Sequence, residues 1–238
     1  MSSPTNPIER LFWDSEFFGF GIGRVASARL THEDASACMA RARETGLRCL
    51  YFLADAGDPD SWRAAIGAGF DPIDVRIELD RTLPDVASTS LDFTIAVADD
   101  VPSLLEVARG AFRQSRFFRD GRFPAGKAEE LFAVWVRRGV SADDGFTVLG
   151  SGAATRGAFV SARAAAGEGR IELFAVAPEL RGRGIGPRLL DAGMSELVRR
   201  GARRVSVVTQ GSNGAALRTY ERAGFRTRSV GLWFHGWP

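Results

Sequence analysis

The chain of 238 residues is poor in cysteine, with only Cys38 and Cys49. Two cysteines are too few for a disulfide-stabilised extracellular scaffold and suit a reducing compartment. No stretch approaches the ~20 consecutive apolar residues of a membrane span, and the opening segment MSSPTNPIER lacks the apolar core of a secretory signal peptide. We therefore expect a cytoplasmic protein without a membrane partner.

A large excess of charge of either sign is also absent. The 31 Lys and Arg residues nearly balance the 29 Asp and Glu residues, which gives a formal net charge of +2. Dedicated nucleic-acid-binding and membrane-surface proteins carry a strong positive field, so neither kind of partner is expected. Lys127 is the only lysine. This excess of arginine fits genomic base composition better than a function, although arginine favours bidentate phosphate contacts where it clusters. No metal ion is expected.

What the sequence does contain is the composition of an ordinary globular protein, with 45% hydrophobic and 25% charged residues. Strand-like and helix-like apolar periodicities alternate along the chain, which predicts a mixed α/β architecture. The length allows one large domain or two small ones. The segment RTLPDVASTS (81–90) combines turn-forming and small polar residues, and it predicts a linker between domains at residues 1–85 and 91–238.

One pattern occurs twice in the chain, at residues 49–79 and again at residues 205–234. It consists of a strand, a turn rich in Asp or Gly, a short helix, a Gly-Phe pair and a final strand. The matched positions are Gly69-Phe70 with Gly224-Phe225, and Ala65 with Tyr220. We interpret the first copy as a degenerate half-domain without chemistry, and a chance likeness between two such units is the open alternative.

The most informative segment, IELFAVAPELRGRGIGPRLLDAGMSELV (171–198), joins a buried strand to an apolar-periodic helix through a glycine-rich turn. Glycines at 182, 184 and 186 allow successive main-chain N–H groups to point into one concavity at the helix N-terminus, where the helix dipole favours an anion. The expected ligand is a pyrophosphate. The spacing R-x-x-G-x-G fits neither the G-x-G-x-x-G of dinucleotide folds nor the lysine-containing P-loop. The similar GFGIG (19–23) does not join a strand to a helix, so we assign it a structural role.

This segment resembles the R/Q-x-x-G-x-G/A motif of the GCN5-related N-acetyltransferase (GNAT) superfamily, which binds the pyrophosphate of acetyl-CoA. The preceding VAP (176–178), Asn213 and the later YERAGF (220–225) fit the same context, and the resemblance covers residues 91–238. It implies a GNAT fold with a mixed central sheet and a splayed, bulged strand, here preceded by a smaller partial GNAT-like α/β domain. It also implies acetyl-CoA as the co-substrate and allows a homodimer.

A narrower likeness is carried by FWDSEFFGF (12–20), RFF (116–118) and LWFH (232–235), which look like the TDP-4-amino-4,6-dideoxygalactose (TDP-fucosamine) acetyltransferases of surface-polysaccharide synthesis. That family also places a partial acetyltransferase-like domain before the complete one. The implied reaction is direct transfer of an acetyl group to the amine of a nucleotide-linked amino sugar. The alternatives are transfer to a peptide N-terminus, an aminoglycoside or another small amine, or a CoA-binding module without turnover.

The resemblance assigns the cofactor contacts to main-chain N–H groups of the bulged strand and of the turn. Preorganised donors of this kind can each stabilise a transition state by ~3 kcal/mol. Asn213 either contacts the cofactor or caps the next helix. The assigned residues are Phe174, Ala175, Val176, Arg181, Gly182, Arg183, Gly184, Ile185, Gly186 and Asn213.

Tyr220 is the predicted general acid. The superfamily often keeps a tyrosine here that protonates the CoA thiolate, and the chain has only two tyrosines. Its alternative role is packing on the helix. Glu172 is the candidate base, directly or through a water, although side chains alternate along a strand and it can face away. His235 titrates in a useful range, with packing as its alternative.

For the acceptor, the resemblance points to acids that bind hydroxyls or an ammonium group, arginines that meet a diphosphate and aromatic rings that stack on a base. Each of these residues has a surface-charge or core-packing role as its alternative. Besides Arg119 and Arg122, the predicted set is Asp14, Glu16, Arg116, Phe117, Phe118, Trp233 and His235.

Overall fold

The computed structural model describes residues 8–88, 92–143, 145–152 and 155–238. The chain forms two compact units, each assembled from segments that are distant in sequence. The first unit comprises Met1–Arg76, Ser115–Ala125 and Val230–Pro238, and the second comprises Ile77–Gln114 and Gly126–Ser229. Residues 1–7, and residues 89 and 90 of the predicted linker, lie outside the described part of the chain.

The sheet of the first unit contains strands that follow the order β1, β2, β3 and β10. Their bounds are β1 (Ile8–Arg10), β2 (Gly21–Val25), β3 (Leu47–Asp55) and β10 (Arg226–Gly236), whose last part belongs to this unit. β1 is antiparallel to β2, β2 is parallel to β3, and β3 is antiparallel to β10. The helices are α1 (Phe12–Phe18), α2 (His32–Glu44), α3 (Pro59–Gly67) and α5 (Arg116–Arg119).

The side chains of strand β3 contribute to both faces of the sheet in this unit, because successive side chains of a strand point to opposite faces. Leu50, Phe52 and Ala54 join the apolar core that also contains buried residues of α2 and α3. Tyr51 points to the other side, where its ring lies 6.4 Å from that of Phe117 in α5. The second face is therefore aromatic and polar rather than aliphatic.

Local signals explain where the two larger helices of this unit begin. Thr31 and Asp34 form a reciprocal capping box at the start of α2, and the Asp58 carboxylate accepts a hydrogen bond from the Ser61 N–H at the start of α3. These side chains satisfy N–H groups that have no acceptor within the helix.

The second unit contains the later part of β4 (Phe70–Thr82), followed in the sheet by β9, β8, β7, β6 and β5. The strands are β5 (Phe93–Ile95), β6 (Gly145–Gly150), β7 (Ala158–Ala165), β8 (Glu168–Val176) and β9 (Arg204–Gln210). The β8–β9 pair is parallel, and the pairs from β5 to β8 are antiparallel. The helices are α4 (Val101–Ala108), α6 (Lys127–Ser141), α7 (Ile185–Arg199) and α8 (Gly214–Arg222).

The structure confirms the predicted alternation of strands and helices and adds to it. Helices α1 and α5 were not predicted, and α5 contains the RFF segment (116–118). Strand β4 continues to Thr82, so the predicted linker starts later than residue 81. The assignment of GFGIG to a structural role is confirmed, because Gly19 ends α1 in the left-handed conformation and β2 follows.

The two compact units differ from the domains predicted at residues 1–85 and 91–238. Residues 115–125 and 230–238 belong to the first unit, and the division falls inside β4, between residues 76 and 77. The physical reason is strand pairing, since six consecutive positions of β10 pair with β3. Among the described residues, no helix is both long enough and apolar enough to cross a membrane.

Candidate active site

Strand β8 of the second unit carries a bulge and then leaves its neighbour β9. Against β7, the paired position moves from Ser161–Leu173 to Ala162–Ile171, so Glu172 has no partner across this ladder. Against β9, the paired positions run from Glu168–Arg204 to Ile171–Val207, although β8 continues to Val176 and β9 to Gln210. The bulged, splayed strand that the resemblance implied is therefore present.

The splay exposes main-chain groups on one edge of β8. The Ala177 N–H donates to the Gly157 carbonyl at 2.8 Å, which fixes the edge that faces β7. Because consecutive N–H groups of a strand point to alternate edges, Ala175 shares the direction of Ala177, and the Phe174 and Val176 N–H groups point to the opposite edge. Of the three predicted contacts in this strand, the geometry leaves Phe174 and Val176 as donors toward the splay.

The glycine-rich turn lies directly beyond this edge and leads into α7. Gly182 and Gly184 have φ values of +76° and +73°, a region in which L side chains are strained. A Cβ at either position would have no heavy atom within 4 Å, so the turn is open on this side. Helix α7 begins at Ile185, so the N–H groups of Ile185 and Gly186 belong to its first turn. The first N–H groups of an α-helix have no intrahelical acceptor.

Arg181 is already engaged within the chain. Its N–H donates to the Pro178 carbonyl at 3.2 Å, and its Nε donates to the Val176 carbonyl at 3.0 Å. The prediction that the amide of Arg181 is available to a ligand is thus corrected. Arg183 is exposed and forms no ion pair within the described ranges, so its charge lies free beside the turn.

Tyr220 reaches the same region from α8. Its ring centroid lies 5.9 Å from that of Phe174 and 5.5 Å from that of Phe225, and the side chain is 3% exposed. Phe174 in turn approaches the turn, since a Cβ at Gly186 would lie 3.6 Å from its Cζ. Burial raises the pKa of Tyr220, so the phenol stays protonated at neutral pH and keeps a proton that it can donate.

The predicted base and the predicted cap have clear positions. Glu172, at the bulge, forms an ion pair with Arg163. The distance from Arg163 Nε to Glu172 Oε1 is 2.9 Å, and both side chains are partly exposed. Asn213 precedes α8, and its Oδ1 accepts from the Ala216 N–H at 3.2 Å. Of the two roles considered for Asn213, the structure shows the helix cap.

A cleft of about 350 Å³ borders the segment that connects β8 to the turn. Residues of α4 form one wall, and residues from Val176 to Arg181 form another. Its charged lining residues are Glu106, Arg156, Glu179 and Arg181. The cleft therefore presents both signs of charge next to the open edge of β8.

The first unit contains a second polar cluster, centred on Arg116. Its guanidinium carbon lies 3.9 Å from the ring centroid of Tyr51, 4.3 Å from that of Phe117 and 4.4 Å from that of Trp233. Burial lowers the pKa of Arg116, and the negative charge of Asp14 acts in the opposite direction. Burial raises the pKa of the Asp14 carboxyl, and the charge of Arg116 reduces that effect.

His235 is neutral in this cluster and its tautomer is fixed. Its Nδ1 lies 2.7 Å from Asp120 Oδ2, and its Nε2 lies 2.8 Å from Arg116 Nη1. A guanidinium can only donate, so Nε2 is the acceptor and Nδ1 carries the proton. Burial lowers the pKa of His235 to about 4, although the Asp120 carboxylate acts in the opposite direction.

Asp120 holds several donors at once. Besides His235, Trp237 Nε1 donates to it at 3.0 Å and Arg122 Nε donates at 2.7 Å. Burial raises the pKa of the Asp120 carboxyl, but these hydrogen bonds outweigh burial and the pKa lies well below its usual range. Asp120 is therefore an ionised, almost fully buried anchor.

The predicted acceptor residues have different surroundings. His235 is fully buried and Phe117 nearly so, which corrects the expectation that they touch a substrate directly. Glu16 is exposed and Phe118 is partly buried. Arg119 and Arg122 form ion pairs with Asp74 and Asp71, respectively. Asp14, Arg116 and Trp233 are brought together and stay partly accessible.

Sequence reasoning missed Tyr51 and Asp120. Tyr51 is 1% exposed, and its hydroxyl finds no hydrogen-bond partner in the described structure. The one signal for Tyr51 is a hydroxyl inside the apolar run CLYFLAD (49–55). Asp120 stands before a glycine and resembles an ordinary turn residue, so its sequence carries no signal of its role.

Fold and turn together define an α/β protein that presents main-chain N–H groups at an open strand edge and at a helix N-terminus, an arrangement that suits a phosphate group. The model of the acetyltransferase (GNAT) family matches residues 102–225, more than half of the chain, and the chain belongs to this family. It is an enzyme of the acetyltransferase type, and relatives with this activity in their names match it.

Two curated relatives have informative names. The chain is 28% identical over 234 residues to the dTDP-fucosamine acetyltransferase of Escherichia coli O6:H1. The matched region covers 96% of this chain and 97% of that protein. It is 27% identical over 139 residues to the spore coat polysaccharide biosynthesis protein SpsD of Bacillus subtilis, with coverage of 58% of this chain and 48% of SpsD.

Solved structures confirm the fold. A GCN5-related N-acetyltransferase from Sphaerobacter thermophilus superposes with a TM-score of 0.57 at 20% identity, covering 82% of this chain and 63% of the other. A conserved protein of unknown function from Staphylococcus epidermidis ATCC 12228 superposes with a TM-score of 0.69 at 13% identity. The superposition covers 99% of this chain and 94% of the other.

The buried neutral His235 predicts an acid-sensitive contribution to stability. The unfolded chain binds this proton below pH 6.5 and the folded chain only below about pH 4, so protonation favours unfolding between these values. We expect the stability difference between wild type and His235→Gln to fall by about 3 kcal/mol from pH 7.5 to pH 4. Asp14 and Asp74, whose raised pKa values act in the opposite direction, are common to both proteins.

Urea denaturation at several pH values measures this difference. Parallel stability curves for the two proteins over this range would contradict the assignment of a neutral His235.

Proposed function

We propose that the protein transfers an acetyl group from acetyl-CoA to the amine of a nucleotide-linked amino sugar of the TDP-4-amino-4,6-dideoxyhexose type. The observation that carries this proposal is the match along 96% of the chain and 97% of the dTDP-fucosamine acetyltransferase. The family model covers only residues 102–225, whereas this match extends through the first unit. The polysaccharide role in the name of SpsD supports the same substrate class.

The residues of the second unit fit acetyl-CoA, which supplies the activated acetyl thioester. The N–H groups of Gly182 to Gly186 would hold the pyrophosphate, with the free charge of Arg183 beside them. The edge of β8 would receive the pantetheine arm and the acetyl group. The Phe174 and Val176 N–H groups point to this edge, so they would donate to the thioester carbonyl oxygen as negative charge develops there.

Proton transfer requires one donor and one acceptor from the chain. The Tyr220 hydroxyl, kept protonated by burial, would donate to the sulfur as it leaves. Glu172 lies on the same strand as the two donor amides and retains a partly exposed carboxylate, so it would accept a proton from the attacking amine, directly or through a water. The ion pair with Arg163 fixes the position of this carboxylate.

A panel of acceptors tests the proposed function. Thiol release from acetyl-CoA should be fast with a TDP-4-amino-4,6-dideoxyhexose and slower by at least ~100-fold with peptides or aminoglycosides, because only the first substrate class matches the full-length relative. Detection of free thiol with a disulfide reagent measures the rates. Equal rates with a simple amine would favour a different acceptor, and binding of acetyl-CoA without turnover across the panel would favour a non-catalytic module.

Removal of the Tyr220 hydroxyl tests the general acid. We expect Tyr220→Phe to lower kcat by ~100-fold or more and to leave the Kd for acetyl-CoA within about twofold, since the ring keeps its contacts with Phe174 and Phe225. Steady-state kinetics and calorimetry provide the two values. A variant with the wild-type kcat would remove Tyr220 from this role.

A matched pair of glycine variants tests the turn. Gly184→Val adds a side chain at φ +73° on the open side of the turn, and we expect it to weaken acetyl-CoA binding by at least tenfold. Gly201→Val imposes similar strain at φ +85°, also with open space at Cβ, after the other end of α7. Calorimetric titration should show weak binding only for the first variant, and equal affinity in both would count against the turn as the pyrophosphate site.

A further inference from the structure

Arg116 in the first unit is a partly buried cation, and the negative charge of Asp14 acts on it from within the same cluster. Among the described residues it forms no ion pair, and its hydrogen bond goes to the neutral Nε2 of His235 at 2.8 Å. The two neighbouring arginines in the chain do have carboxylate partners. Arg119 pairs with Asp74, and Arg122 pairs with Asp71 and Asp120. Placing an unpaired charge in a low-dielectric environment is costly.

The surroundings of Arg116 hold its guanidinium group in a defined plane. The rings of Tyr51, Phe117 and Trp233 lie within 4.4 Å of the guanidinium carbon, a distance typical of cation–π contacts. One of its five N–H donors is directed to His235. Apart from the interaction with the Tyr51 hydroxyl, the other donors have no acceptor in the described structure, so they are preorganised for a group that accepts several hydrogen bonds.

Two buried hydroxyl groups beside Arg116 form no hydrogen bond of good geometry within the described residues. They belong to Tyr51, whose ring stacks on the guanidinium, and to Ser115, the preceding residue. Folded proteins rarely leave such groups unpaired, and an orphaned hydroxyl costs ~1–3 kcal/mol. A cation without an ion pair, beside two hydroxyl groups whose hydrogen-bonding capacity is not filled in the described structure, is an environment for an anionic ligand with several oxygen atoms.

We propose that Arg116 and Tyr51 bind a phosphate group of the nucleotide-linked acceptor, and that the Asp120–His235 pair positions Arg116 for this contact. The identity of the acceptor rests on the proposed function. Bidentate N–H donation from arginine matches the geometry of a phosphate. Asp14 lies at the same cluster as a partly exposed carboxyl group, and it accepts a hydrogen bond from a hydroxyl of the same ligand.

The positioning role of His235 follows from its hydrogen bonds. Asp120 accepts the proton of Nδ1, which leaves the lone pair of Nε2 directed at Arg116 Nη1. A protonated ring would place two positive groups in contact. Neutral His235 therefore orients the guanidinium without neutralising it, so the full charge of Arg116 stays available to a ligand.

Calorimetric titration with TDP tests the phosphate contact in the full-length protein. We expect Arg116→Lys to weaken TDP binding by at least tenfold, while the Kd for CoA stays within about twofold. Tyr51→Phe removes only an unpaired hydroxyl, so it should fold normally and weaken TDP binding by ~threefold or more. Arg63→Lys changes an exposed arginine of α3 in the same unit and should have no effect on either ligand.

Each other result of this titration overturns the proposal. Wild-type protein that binds no TDP, or an Arg116→Lys or Tyr51→Phe variant with wild-type TDP affinity, removes the phosphate site. Loss of CoA affinity instead of TDP affinity in the Arg116 variant assigns these residues to the coenzyme.

The positioning role has a separate test. His235→Phe should raise the KM for the acceptor and weaken TDP binding by at least tenfold, with little change in kcat. His235→Gln should recover part of the acceptor KM and part of the TDP affinity, because its amide oxygen can accept a hydrogen bond from Arg116. Lower thermal stability in both variants with an unchanged KM and TDP affinity would show a purely structural role.

These measurements also separate the inference from the proposed function. TDP binding that depends on Arg116, without acetylation of any TDP-linked amino sugar, refutes the acetylation of that acceptor class and leaves the phosphate site standing. Acetylation of such sugars with an unchanged KM in Arg116→Lys refutes the phosphate site and leaves the proposed function standing.

Discussion

The separation of β8 from β9 after the Ile171–Val207 pair is the constraint on which the chemistry of the second unit depends. Main-chain polar groups need partners, and this separation leaves a strand edge inside a sheet without its usual neighbour. Pairing with β7 continues along the other edge of β8, so the exposed N–H groups keep fixed positions. The glycine-rich turn begins only a few residues later, and one short stretch of chain therefore supplies two groups of donors with a defined spacing.

The first unit uses polar burial in a different way. Asp120 collects donors from three side chains, whereas Arg116 forms no ion pair in the described part of the chain. Both situations occur within five residues of one segment. Asp120 thus serves as an anchor of the fold, and the charge of Arg116 is held mainly by aromatic rings.

The success of sequence reasoning depends on how local the signal is. Long periodic segments such as α7 and β9 were predicted well, because each buries one face and its period follows from that burial. The turn was visible because the φ values at positions 182 and 184 favour glycine over residues with a side chain. The cluster around Arg116 was visible only in part, since its hydrogen bond to His235 spans 119 residues and no local pattern indicates it. The short helices α1 and α5 are held by aromatic contacts rather than by periodicity.

The pairing of β3 with β10 sets an order for the folding of the chain during synthesis. Positions 50–55 of β3 receive their partners from positions 231–236, which are synthesised much later than β3 itself. Until then, one edge of β3 exposes unpaired main-chain groups in a strand rich in aromatic and aliphatic side chains. The nascent chain consequently passes through an interval in which this edge is open to aggregation, and slower translation between β3 and β10 would lengthen it.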